Sequence, residues 1–198
     1  MSVISYPDTA LPNVFTRDNL GWRPWIEPLA EADLTERHLD GLVEASRAKS
    51  PYFMLLARDP EILGARTRAD FDIFYNKEGG LPRAERELSA AAVSRENGCI
   101  FCASVHARFA AHYSKREAEV DELLEHGAES HLDTRWSAIR DFAVALTQTP
   151  IALTESHVED LRAQEGIDDL AVVDAIYSAA FFNWANRLML SLGEPTLP

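Results

Sequence analysis

At 198 residues, 46% of them apolar, the chain is long enough and apolar enough to bury a substantial core, which excludes a disordered protein. A net charge of −13 with scattered Lys and Arg leaves no surplus to neutralise phosphates, so no nucleic acid is expected as a partner. No stretch approaches the roughly 18 uninterrupted apolar residues of a membrane span, so no membrane partner is expected either.

The opening segment, Met1 to Asp8, has no basic n-region and no apolar h-region, which predicts a cytoplasmic protein without a secretory leader. Residues 1–30 carry Pro7, Pro12, Pro24 and Pro28, with Trp22 and Trp25 among them. Prolines at that density prevent regular helix, and two tryptophans are poorly left in water. This predicts an extended N-terminal arm, docked on the body or on a neighbouring subunit, ahead of a single domain over 31–198.

Helix signals dominate from there onward. Leu34 to Arg47 places Leu34, Leu39, Leu42 and Val43 on one side. Asp59-Pro60 is a cap followed by proline at the first helical position, opening a helix through Phe71, Phe74 and Tyr75. Gly79-Gly80 ends it, and Pro82 starts another that runs to Glu96. Asn97-Gly98 breaks the chain before a helix from about Cys99 to Tyr113. A short helix over Lys115 to Glu125 follows, then one capped by Asp133 and ended before Pro150. Thr154 caps Glu155 to Gln164, and Asp168 opens a long final helix up to Leu192. No segment alternates convincingly with period two, so no sheet is predicted and the fold class is all-α.

The two cysteines, Cys99 and Cys102, stand two residues apart, and His106 follows four residues after the second. On a helix the three side chains fall within roughly 60° of one another. Gly98 places Cys99 at the first turn, where unpaired N–H groups and the helix dipole favour a thiolate. Cys102 gains less from the dipole and lies within reach of His106 at i+4. The helix is apolar nearly all round, which predicts that it runs through the middle of the fold. Glu87 falls on the apolar side of the preceding helix, while Arg83 and Arg86 are expected to turn elsewhere. A carboxylate so buried needs a partner, and His106 and Cys99 on the facing helix are candidates.

A dithiol with an imidazole and a carboxylate supports redox catalysis with a proton relay. The same four side chains are also possible zinc ligands, although thiolate pairs at zinc usually sit on turns and no second CxxC or HxxxH is present. Ser104 is expected to bond a carbonyl one turn back. His38, His112, His126, His131 and His157 are expected on the surface or in structural roles. Phe71, Phe74, Tyr75 and Phe109 suit core packing, or an apolar entrance. Asn183, Asn186 and Arg187 in the apolar last helix point to a cap or inter-subunit contact.

Glu87, Cys99, Cys102 and His106 together resemble the E-x11-C-x2-C-x3-H core of the alkylhydroperoxidase D family, within the carboxymuconolactone decarboxylase-like superfamily. The lead-in from Leu81 to Arg86 is also similar. The later segments, Asp141-Phe142-Ala143 to Pro150 and Phe182-Asn183-Trp184-Ala185-Asn186-Arg187-Leu188, resemble a subgroup of peroxidase-related proteins. The resemblance implies an all-helical subunit that oligomerises, commonly as trimers or hexamers. The aromatic arm and apolar motif helix likewise predict a homo-oligomer, dimer to hexamer, and no cofactor or metal is expected. The resemblance also implies a hydroperoxide substrate and an external dithiol reductant. By that analogy Cys102 attacks the peroxide, Cys99 resolves the sulfenic acid to a Cys99–Cys102 disulfide, and His106 with Glu87 relays protons. Alkylhydroperoxidase D itself has a histidine directly before the second cysteine; here that place is Phe101, so the relay is one group shorter. The helix dipole, by contrast, favours Cys99 as the more acidic thiol. A general dithiol–disulfide oxidoreductase, or a non-enzymatic helical assembly or zinc-binding module, is the alternative.

Overall fold

The computed structural model describes residues 3–7 and 10–197. Met1, Ser2, Asp8 and Thr9 of the expected arm, and Pro198 at the far end, lie outside the described residues. The described chain is all-α apart from one short strand pair. Its helices are α1 (Glu36–Leu42), α2 (Pro51–Leu56), α3 (Pro60–Tyr75), α4 (Arg83–Glu96), α5 (Ile100–Ser114), α6 (Glu117–His126), α7 (Thr134–Thr147), α8 (Glu155–Arg162) and α9 (Asp169–Leu192). No described helix is long and apolar enough to cross a membrane.

Most helix starts follow directly from local sequence. Asp59, Asp133 and Asp168 each accept a hydrogen bond from the N–H three residues on, at 3.2, 2.8 and 2.8 Å, satisfying a donor that the helix cannot. At α1 and α8 a histidine completes a reciprocal cap: Thr35 with His38 and Thr154 with His157. Two of the histidines without an evident chemical role are therefore helix caps.

The expected helix over Leu34 to Arg47 is broken. α1 stops at Leu42 because Val43 turns to φ 65°, and a 3-10 turn, Ala45–Lys49, follows. Leu42 is buried but Leu39 and Val43 are exposed, so the four residues do not form one buried side. Ser50-Pro51 then opens α2, a helix too short to show in the periodicity.

The absence of a sheet also needs correction. Gly21–Pro24 (β1) pairs antiparallel with Gly193–Thr196 (β2), in the register Gly21↔Thr196 to Pro24↔Gly193. Four-residue strands with a proline in each are too short and too interrupted to show alternation. The pairing docks this part of the arm on the body, with Trp22 packed edge-on to Tyr52 at 5.5 Å between ring centres.

α4 occupies the centre, running beside α5 and packing also on α7 and α9. Ten consecutive residues, Glu85 to Ser94, are buried. Alanine and serine at Ser89, Ala90, Ala91, Ala92, Ala103, Ala107 and Ala110 let the facing helices approach closely. α5, expected to be enclosed on all sides, buries its alanines together with Cys102, Ser104 and His106, while Phe101, Val105 and Phe109 line a cavity instead.

Candidate active site

Three consecutive charged residues near the start of α4, Glu85, Arg86 and Glu87, are each neutralised by different neighbours. Glu85 accepts two bonds from Arg135, at 2.5 and 2.7 Å. Arg86 donates to the carbonyls of Ile73, Asn76 and Gly79 and pairs with Asp174 at 3.0 Å. Glu87, only 1% exposed, is held from two sides. Its Oε1 accepts from Arg83 Nε at 2.5 Å, and its Oε2 lies 2.5 Å from His106 Nδ1. The expectation that Arg83 turns away is wrong, because a residue at i−4 lies on the same helix face as Glu87. Burial works against the Arg83 charge, but Glu87 outweighs it and raises the guanidinium pKa.

A carboxylate paired to arginine accepts only, so His106 donates through Nδ1, leaving Nε2 for chemistry. The imidazole is wedged between aromatic rings, with Phe182 at 3.9 Å and Phe74 at 5.5 Å between ring centres. That contact fixes its plane.

The dithiol is placed by the turn between α4 and α5. Gly98 at φ 75° sends its N–H to Arg95 O at 3.2 Å, and Cys99 N–H reaches back to Ser94 O at 2.8 Å. These two bonds form a Schellman motif ending α4, while Cys99 is also the N-cap position of α5. Both cysteines are free thiols and both are buried. A hydrogen bond with Cys102 lowers the Cys99 pKa against the effect of burial, and the Cys102 backbone N–H and the Asn186 side chain assist. The same bond, with burial, pushes the Cys102 thiol well up. Cys99 is thus the more acidic thiol, as its place at the helix start predicts.

The two sulfurs face different spaces. Cys102 lines a cavity of about 450 Å³ together with Glu87, His106, Phe101 and Phe182. Cys99 lines a second space of about 190 Å³, walled by Gly98, Ile100 and Trp22. Phe74, Tyr75 and Phe109 do line the larger cavity, whereas Phe71 does not. Among the described residues, no three His, Cys, Asp or Glu side chains converge as a metal site.

The C-terminal half of α9 supports the turn from behind. Asn97 Nδ2 donates to Asn183 Oδ1 and Asn186 Oδ1, at 3.0 and 3.1 Å, and Asn186 Nδ2 donates to Ser94 Oγ at 3.1 Å. Arg187 reaches Asn97 Oδ1 at 3.4 Å. The polar residues of the last helix therefore clasp the end of α4 within one chain. Ser104 behaves as expected, donating to Phe101 O at 2.8 Å.

The carboxymuconolactone decarboxylase family pattern matches residues 60–145, from α3 to most of α7. The fold is similar to a peroxidase-related protein with an alkylhydroperoxidase core from Ralstonia eutropha JMP134. The two are 25% identical with a TM-score of 0.68, over 81% of this chain and 85% of the other. A peroxidase-related protein from Silicibacter sp. TM1040 is 28% identical with a TM-score of 0.63, over 72% and 74% of the two chains. The family match over residues 60–145 and the likeness to these two structures support assignment of the chain to the alkylhydroperoxidase D-like/carboxymuconolactone decarboxylase superfamily.

A similar fold is found in the debrominase Bmp8, at 17% identity and a TM-score of 0.68 over 84% of this chain and 88% of that one. Among curated proteins, none gives a significant match. Arg83 and Asn186 join the site beside the four residues of the sequence motif. Arg83 was legible as an i−4 partner of a buried carboxylate; Asn186, more than eighty residues from the dithiol, was not.

Proposed function

We propose that the protein is a thiol-dependent peroxidase with an antioxidant role, cycling Cys99 and Cys102 between dithiol and disulfide. The observation that supports this best is that Cys102 lines the same cavity as the Glu87–His106 pair, while its thiol is hydrogen-bonded to the more acidic Cys99.

In this reading His106 Nε2 takes the Cys102 proton, and the thiolate attacks one peroxide oxygen. The O–O bond breaks, the sulfur becomes a sulfenic acid, and the departing alkoxide takes the proton from His106 to leave as an alcohol. The Cys99 thiolate then attacks Cys102 Sγ, forming the disulfide; the hydroxyl group leaves as water after gaining a proton. An external dithiol restores both thiols and is itself oxidised to a disulfide. Glu87 holds the ring in the required tautomer through its bond to Nδ1, and Arg83 anchors Glu87 from the other side. The similarity to peroxidase-related proteins at 25% and 28% identity agrees with this reading. We further propose that the subunit works as a homo-oligomer.

Anaerobic peroxide consumption by metal-free protein, with a panel of thiol reductants, tests the proposal. Turnover that requires both cysteines supports it. Absence of peroxide loss with every reductant, or turnover that survives Cys102→Ser, overturns it.

A further inference from the structure

The larger cavity extends beyond the dithiol to a second cluster that the peroxide cycle does not use. Arg47, Arg66 and Tyr52 line it on the side of α2 and α3. Arg66 and Tyr52 are 7% and 6% exposed, yet Arg66 Nε, Arg47 Nε and the Tyr52 hydroxyl are buried without a hydrogen-bond partner. Leaving such donors unpaired costs on the order of 1–3 kcal/mol each, more for charged groups. Three of them around one cavity point to a ligand that supplies acceptors.

The charge balance indicates which kind. Both guanidinium groups rely on one half-buried carboxylate, Asp70, at 3.2 Å from Arg66 and 3.9 Å from Arg47. The remaining acid, Glu44, lies 3.8 Å from Arg47, with its side chain 56% exposed to water. Burial lowers the Arg47 pKa, and repulsion from Arg66 adds to that effect. The arginines also lie over Phe53, at 4.4 and 5.5 Å from its centre, so apolar and cationic surfaces are continuous. Arg66 and Tyr52 both interact electrostatically with Cys102, which places the cluster beside the reactive sulfur.

We propose that this cavity binds an organic acid, its carboxylate taken by Arg47, Arg66 and Tyr52 and its apolar body lying against the aromatic wall toward Cys102. As a statement about substrate, the proposal rests on the peroxidase reading: the preferred oxidant is an organic hydroperoxide that carries a carboxylate. A cavity of about 450 Å³ accommodates such a molecule, whereas hydrogen peroxide would leave both the donors and most of the space unused.

Calorimetric titration of the reduced, full-length protein with octanoate and with octanamide tests this without any turnover. The pair matches in size and differs in charge. Octanoate should bind about tenfold or more tightly than octanamide, as a charge-assisted contact requires. Tyr52→Phe removes only a buried hydroxyl beside Arg66, so the variant should fold and lose part of that preference. Arg47→Gln should do the same, and thermal melting verifies the fold of each. Equal affinities, no binding of octanoate, or a preference that survives in both variants would overturn the proposal. Octanoate binding without peroxide reduction would sink the peroxidase reading and leave the acid site standing. Peroxide reduction without octanoate preference would do the reverse.

Discussion

Cys99 and Cys102 share a hydrogen bond but face separate cavities, so the acidic thiol and the thiol beside the imidazole are different residues. Ultraviolet thiolate absorbance against pH should therefore show Cys99 ionising first, below the ordinary thiol range. Cys102→Ala should move that transition upward, since the largest cause of the lowering is gone. Asn186→Ala should raise it as well and cost about 1–3 kcal/mol, because Ser94 and Asn97 lose a buried partner. One equivalent of hydroperoxide should remove two thiols together. Thiols lost singly, or only between chains, would refute the resolving step.

Glu87→Gln keeps the shape of the side chain and removes its charge. Arg83 and His106 would then face a neutral amide, and peroxide reduction should fall by about 10²–10⁴-fold. Removing one member of a buried ion pair costs about 3–5 kcal/mol, so the melting temperature should drop too. Combining Glu87→Gln with Arg83→Met should restore part of the stability and none of the activity. Full activity with an unchanged pH profile in Glu87→Gln would make the residue merely structural.

Tyr52 gives a pH dependence at the alkaline end. Burial raises its phenol to about 12, above the ordinary value of 10.0. A raised acid favours its protonated form in the folded state. The corresponding stability is complete below pH 10 and is lost as pH rises through about 12, by up to about 3 kcal/mol. Chemical denaturation across that window should show the loss, and Tyr52→Phe should flatten it. A slope unchanged by the substitution would assign the effect elsewhere.

Two glycines separate backbone strain from overlap. A Cβ at Gly98 meets nothing within 4 Å, so Gly98→Ala should cost about 1–2 kcal/mol for the φ of 75° alone. At Gly193 the backbone is extended, but a Cβ would run into the Arg23 carbonyl and the Trp22 ring. Gly193→Ala should be the more damaging change, measured by melting temperature. The reverse order would mean that the strand pair contributes little.

Leu170, Val173, Tyr177, Ala180 and Trp184 form an exposed apolar stripe along α9 with a spacing of three and four residues. Such a stripe suits a facing helix of a second subunit. Tyr177→Glu with Trp184→Glu should reduce the mass measured by light scattering to that of the monomer. A wild-type protein already monomeric at micromolar concentration would end the oligomer proposal.

The helices were legible wherever a cap or proline marked a start, as at Asp59-Pro60, Asp133 and Asp168. Val43 was not, because its left-handed turn carries no sequence signal of the kind that Gly98 does. The four motif residues were legible because they lie within twenty positions on two consecutive helices. Tyr52, Arg66 and Asn186 reach the same place only through packing of distant helices, which no local periodicity encodes. Arg83 lay between these cases: the spacing was visible, but the assumption that arginine seeks water hid it.

The pairing of β1 with β2 joins segments that lie far apart in the sequence on either side of the motif, and its residues wall the dithiol. Trp22 borders both cavities, and Gly193 and Pro195 border the smaller one. A growing chain contains Glu87, Cys99, Cys102 and His106 long before residues 193–196 exist. During synthesis the thiols therefore lack their final enclosure, and the dithiol is sheltered only once residues 193–196 have been made. A change within residues 193–196, far along the sequence from either cysteine, acts directly on the chamber that holds them.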